Sequence, residues 1–215
     1  MMGNMVVEAE TRILPADDPE AIAEAVSLLR DGQVVAFPTD TVYGVGAHAF
    51  IERAVAALYR IKERTPDKSI PLLLSDASDL PQVSDPVPAL AWELARHFWP
   101  GALTLVVPKG PHILSIVSAG HAVAVRVPRH PVVPEIIGRL GVPLATTSAN
   151  LSGGPNPVTA HEVLAQLGGR LRLILDGGPC PGGLPSTVLD LTLEPPQVLR
   201  QGGIPPEALE ACLRP

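Results

Sequence analysis

The sequence predicts a single α/β or α+β domain, not a β-sandwich or a helical bundle. Two patterns carry this reading: segments of helical apolar period alternate with short β-like apolar runs, and no unit repeats at a fixed spacing. A third observation is bulk composition, with 46% hydrophobic and 18% charged residues. A chain of 215 residues buries roughly 70–75% of its unfolded surface, enough for one substantial core. The same numbers exclude a disordered acidic chain.

Taken in order, the first helix is expected over Asp18–Arg30, with Asp18 as cap, Pro19 at the first position and Ile22, Val26 and Leu29 on one face. Gln33–Phe37 reads as a buried strand. Glu52 to about Lys62 reads as a second helix carrying Val55, Leu58 and Ile61 inward. Ile70–Leu74 is another apolar run, and SDASDLPQVSDP after it holds too many turn formers to be regular. Ala89–Phe98 makes a third helix, stopped by Pro100-Gly101. The runs LTLVVP, AVAVRVP and VPLATTSAN read as strands, with a proline-initiated helix from Val132 to Leu140. Thr159–Leu167 is a capped helix closed by Gly168-Gly169. LRLILD and STVLDLT follow as strands, and IPPEALEACLRP as a last turn or two of helix. The 25 prolines are scattered as rigid joints and form no linker, so one domain spans residues 1–215.

Charge and cysteine usage exclude whole classes of function. A net charge of −6 argues against a generic nucleic-acid coat, which rests on a broad basic surface. Two cysteines, Cys180 and Cys212, build neither a disulfide framework nor a four-ligand zinc site. Cys180, within GGPCPGG, reads as an exposed thiol with nothing nearby to activate it. The histidines show no pairing at i and i+4, and no metal site is expected. The amino terminus lacks a leader pattern and no long apolar span occurs, so a cytoplasmic protein free of the membrane is expected.

AFPTDTVYGVG, Ala36–Gly46, tempts one toward a phosphate loop. It fails both nucleotide fingerprints, because no glycine follows at the dinucleotide spacing and no Gly-Lys-Ser/Thr is present. The stretch then reads as a strand ending at Pro38, with Gly44 and Gly46 turning the chain away. RIKERTPDKSIPL gathers Arg60, Lys62, Arg64 and Lys68 within nine residues. Either these cations are solvated at the negative end of a helix, or the helix frays before Pro66 and Lys62 and Arg64 turn to one anion. In PLATTSANLSGGPNP an extended chain would set Thr146, Ser148 and Asn150 on one side, whereas a capped turn would scatter them. Arg126 lies opposite Val123, Val125 and Val127, free to grip a carboxylate or to sit in solvent. Ser186 and Arg200 are similar single cases. No G-x-S-x-G elbow and no H-E-x-x-H motif is present.

In order, PTDTVYGVG, KER with Lys68 and Pro71-Leu72, WPGALTLV, VRVPRHP, TSANLSG, PSTVLD and VLRQGG resemble the YrdC family of threonylcarbamoyl-AMP synthases, over about residues 20–205. The resemblance implies an open, twisted, mixed α/β sheet with flanking helices around a central cavity, in the short single-domain form. It implies that L-threonine, bicarbonate and ATP are joined into threonylcarbamoyl-adenylate and pyrophosphate, for a tRNA threonylcarbamoyl transferase complex to use. Carried over residue by residue, Lys62, Arg64 and Lys68 meet the phosphates, with Lys62 and Arg64 as the catalytic pair. Ser148, Asn150, Asn156 and Arg200 contact ATP, while Thr41, Arg126, Thr146 and Ser186 hold threonine. Mg2+ enters with ATP and has no dedicated protein site. Ser75 stands where some members place a histidine near the amino-acid site. The alternative is a paralogue of the same fold that binds nucleotide or RNA without making the adenylate; direct tRNA contact is left open.

Overall fold

Ten short strands and seven helices condense on one mixed sheet among the described residues, which in this computed structural model are 10–65, 68–181 and 184–213. The strands are Arg12–Pro15 (β1), Val35–Phe37 (β2), Gly44–His48 (β3), Leu72–Leu73 (β4), Leu103–Pro108 (β5), Ala122–Arg126 (β6), Leu144–Ser148 (β7), Leu173–Asp176 (β8), Thr187–Asp190 (β9) and Gln197–Arg200 (β10). The helices are Pro19–Arg30 (α1), Glu52–Lys62 (α2), Leu80–Val83 (α3), Ala89–Phe98 (α4), Val132–Leu140 (α5), Ala160–Leu167 (α6) and Pro206–Leu213 (α7). Across the sheet the order is β1-β8-β2-β3-β7-β4-β6-β5-β9-β10. Parallel pairs (β1 and β2 with β8, β4 with β6, β5 with β9) mix with antiparallel ones. The expected α/β class and mixed sheet are therefore present. The amino-terminal reading and Pro66 lie outside the described residues.

The helices stand where caps and periodicity place them. Asp18 accepts a hydrogen bond from Glu20 N at 2.9 Å to start α1, and Thr159 accepts from Glu162 N at 3.2 Å to start α6. Helix α2 ends by a device the sequence does not announce. Glu63 takes the left-handed conformation, φ 52°, and turns Arg64 out of the helix one residue after Lys62.

Each face of the sheet carries its own apolar layer. On one, α2, α4, α6 and α7 pack Leu58, Leu94, Val163 and Leu209 against Val45, Leu72, Leu105 and Val125. On the other, α1 and α5 pack Ile22, Leu29, Ile136 and Ile137 against Val35, Phe37, Leu144 and Leu173. Each fully buried side chain of this size contributes about 1.5–3 kcal/mol relative to exposure. The two helices of the second layer cover the β8-β2 side of their face and reach Leu144 at the start of β7 and Leu73 of β4. Beyond them, from the end of β7 to β10, the face is left open.

Three expectations need correction. Gly44 and Gly46 do not turn the chain; they lie inside β3, opposite Phe37 and Val35 of β2 and Ser148 and Thr146 of β7. Their lack of a side chain makes room, since a Cβ on Gly46 would meet Phe37 Cε1 at 2.8 Å, and one on Gly44 would meet Thr146 Cγ2 at 3.0 Å. Gly46→Ala is accordingly expected to lose about 1–3 kcal/mol of stability in urea denaturation. An unchanged midpoint would mean that Phe37 swings aside without cost. Second, the Ser75–Pro86 stretch is partly regular, with a 3-10 turn at Ala77–Asp79 running into α3. Asp76 accepts from Ser78 N, and Asp79 accepts from Ser75 N, so side chains replace the missing backbone partners. Third, Cys180 is buried, 9% exposed, and burial pushes its thiol pKa up.

Candidate active site

The open half-face holds a cavity of about 370 Å3. Alternation along the strands builds its floor: Thr146 and Ser148 from β7, Leu73 from β4, Ala124 and Arg126 from β6, Thr104 from β5 and Val188 from β9. Residues one position away on these strands, such as Ala145, Val125 and Leu105, belong to the core on the other side. Thr39, the Thr41–Gly44 segment, Arg64, Asn156, Ser186 and Arg200 form the walls.

Arg126 is the most constrained side chain there. Its Nε donates to Gly101 O at 2.8 Å, Nη1 to Thr41 Oγ1 at 3.2 Å, and Nη2 to Asp40 Oδ1 at 2.5 Å. Burial lowers its pKa; the charge and hydrogen bond of Asp40 oppose that, and nearby Arg200 adds to it. Thr41 is placed by its neighbour, because Thr39 Oγ1 accepts from Thr41 N and lies 3.0 Å from Thr41 Oγ1. At the far wall Arg200 donates to Ser186 O and Oγ, at 2.9 and 3.1 Å from Nη2. Ser186 Oγ in turn is hydrogen-bonded to Thr104 Oγ1 at 2.7 Å, one hydroxyl donating to the other. Arg64, 3.0 Å from Ser69 O through Nη2, keeps a buried Nε without a hydrogen-bond partner among the described residues.

Of the residues singled out in the sequence, Thr41, Arg64, Arg126, Thr146, Ser148, Asn156, Ser186 and Arg200 meet on this cavity. Lys62, Lys68 and Asn150 do not line it. Lys62, 2% exposed, points inward from the end of α2 and donates to Ser148 O, to Asn150 O at 2.5 Å and to Asn150 Oδ1 at 3.0 Å. Burial first, and the Arg64 charge second, bring its pKa down to about 7. The alternation expected through Thr146, Ser148 and Asn150 stops with β7 at Ser148, so Asn150 turns away and joins Lys62. Lys68 contributes its backbone carbonyl to Tyr59 Oη at 3.0 Å, and its side chain is exposed. Ser75 Oγ is held by Asp79 Oδ2 at 2.5 Å and is absent from the lining.

Two residues of the site escape sequence reading. Thr104 is a lone hydroxyl on the polar side of LTLVVP, and alternation against Leu103, Leu105 and Val107 is the signal that finds it. Asp40 carries no such mark, because an acid between two threonines does not advertise an arginine 86 positions later.

The only charged side chains on the lining, among the described residues, are Arg64, Arg126 and Arg200. Three guanidiniums with orientable hydroxyls suit a ligand bearing several anionic groups. No cluster of three or more His, Cys, Asp or Glu is present among the described residues, and no helix there is long and apolar enough to cross a membrane. A second hollow, about 550 Å3 between α4 and the Asp76-Ala77 turn, is lined by Arg96, Asp76, Glu93, Trp92 and Trp99 and gathers no comparable set of donors.

The Sua5/YciO/YrdC family model, described as telomere recombination, matches residues 27–202. The threonylcarbamoyl-AMP synthase of Bacillus subtilis is 46% identical over 204 residues, covering 94% of this chain and 59% of its own. That of Pyrococcus abyssi is 41% identical over 190 residues, covering 88% and 56%. The crystal structure of P. abyssi Sua5 complexed with L-threonine superposes with a TM-score of 0.91 at 39% identity, over 94% of this chain and 61% of that one. The chain thus spans about three-fifths of the length of these relatives.

Proposed function

Because this chain belongs to the Sua5/YciO/YrdC family, we propose that it is an L-threonylcarbamoyladenylate synthase, a nucleotidyltransferase that consumes L-threonine, bicarbonate and ATP. The observation that carries the reading is the convergence of Arg64, Arg126 and Arg200 on one hydroxyl-lined cavity in a chain of net charge −6. Such a local field concentrates anions that the protein as a whole repels.

In this reading the threonine carboxylate lies against Arg126, with Thr41, Thr146 and Ser186 around the rest of the amino acid. Its amine takes up bicarbonate with loss of water, giving a carbamate. A carbamate oxygen attacks the α-phosphorus of ATP, the α–β bridge breaks, and pyrophosphate leaves. The chemistry needs positioning and charge neutralisation, and no covalent nucleophile. Arg64 and Arg200 supply positive charge toward the phosphates, while Ser148 and Asn156 offer polar groups to the nucleotide. Lys62 and Asn150 act one layer back, by fixing the backbone that carries Ser148. Lys68 keeps a place near the phosphates only through its long exposed side chain. The cavity offers guanidiniums, hydroxyls and an amide, with no carboxylate cage, so Mg2+ fits as the companion of ATP; when bound it neutralises phosphate charge. The adenylate then passes to a tRNA threonylcarbamoyl transferase complex in the cytoplasm, where ATP and tRNA are both available.

Pyrophosphate release from ATP by the purified protein tests the reading. Release is expected only when L-threonine and bicarbonate are both supplied. Turnover that ignores either one sinks it.

A further inference from the structure

We propose that Asp40 partitions the cavity, cancelling the charge of Arg126 so that the triphosphate is confined to Arg64 and Arg200 and a single carboxylate takes the Arg126 end. The proposal rests on the synthase reading, which puts two anions of different charge in one cavity. Three equivalent guanidiniums would not sort them, because a polyanion outcompetes a monoanion at every one.

The three are not equivalent. Among the described residues Arg64 bonds to backbone carbonyls alone, and Arg200 to Ser186 O and Oγ. Only Arg126 is paired with a carboxylate, at 2.5 Å, with side chains 9% and 13% exposed. Asp40 Oδ1 also accepts from Arg129 N at 3.0 Å, which anchors the acid to the segment after β6. The pair is therefore poorly screened by solvent. A phosphate brought to Arg126 would face the Asp40 charge at close range. A carboxylate meets the same repulsion once, and it finds one free N–H on each terminal nitrogen, since Gly101 O, Thr41 Oγ1 and Asp40 Oδ1 take the other three. Asp40 is thus a positioning and selecting residue; it need not touch substrate.

Calorimetric titration with inorganic pyrophosphate and with L-threonine, alone and together, tests this. The parent is expected to bind both at once. Asp40→Asn, which keeps an acceptor of the same shape but loses the charge, is expected to let pyrophosphate compete with threonine for the Arg126 end, so that saturating pyrophosphate weakens apparent threonine binding on the order of tenfold. Asp40→Glu is expected to restore simultaneous binding. If Asp40→Asn does not fold, as judged by its melting curve, Asp40→Ser removes the charge by another route. Weaker threonine binding without competition would reduce Asp40 to a structural support and overturn the proposal. A parent that binds neither probe would overturn the synthase reading with it, whereas failure confined to the variants leaves that reading standing.

Discussion

Arg126→Met is expected to cost about 3–5 kcal/mol of folding stability, because it strands the Asp40 carboxylate in a site where that side chain is 13% exposed. Gly101 O and Thr41 Oγ1 lose their donors in the same step. Urea denaturation reads the loss directly. The double variant Arg126→Met/Asp40→Asn should recover a large part of it, since the stranded charge is gone; the remainder measures the two neutral contacts. A loss under about 1 kcal/mol in the single variant would instead mean that water reaches the pair. In the synthase assay the same variant should demand far more threonine while its dependence on ATP moves little. That split separates a carboxylate anchor from general damage.

Lys62→Met should be damaging for a different reason. The lysine is 2% exposed and its ammonium satisfies three oxygens, Ser148 O, Asn150 O and Asn150 Oδ1. Methionine fills similar space and donates nothing, so a loss of about 2–4 kcal/mol is expected from unsatisfied acceptors. ATP use should fall with it, as the end of β7 loses its tether. The effect carries a pH signature whose sign is fixed. Burial holds the folded pKa near 7, against 10.5 for the free side chain, so between these values the unfolded chain binds more protons. The parent should therefore gain stability over Lys62→Met as pH rises from 7, by at most about 1.4 kcal/mol per unit. Below pH 7 the difference should be level. A difference that stays level up to pH 9 would show that the three oxygens keep the ammonium charged throughout.

What is legible in the sequence follows from where the physics is local. Helices α2, α4 and α5 span the residues that apolar periodicity and flanking prolines assign them, although what stops α2 is not written in that pattern. Strand β3 escapes such a reading because its glycines answer to Phe37 and Thr146, partners that no window of neighbours contains. Strand β10 escapes it because all four of its residues are exposed and leave no alternation to read. The motif residues from Thr41 to Arg200 do share a cavity, since each sits on the open side of a strand or on its rim. Lys62 and Asn150 look alike in sequence to those residues, yet face inward. Their pairing spans 88 positions, and only the assembled sheet decides which way each one points.

The strand order has a consequence for how the molecule comes into being. The first strand, β1, waits for β8, with Arg12 opposite Leu173, and β9 and β10 join last at the far edge beside β5. Contacts so distant in sequence make folding slow relative to helical proteins of this size. A chain emerging from the ribosome has made Thr41, Arg64 and Arg126 long before Ser186 and Arg200 exist. Until then the cavity lacks one wall, although Arg126 already has Asp40, Thr41 and Gly101 as partners. Ligand affinity is thus acquired near the end of synthesis, and nascent chains interrupted before β9 leave β5 as an uncovered edge, prone to pair with another chain.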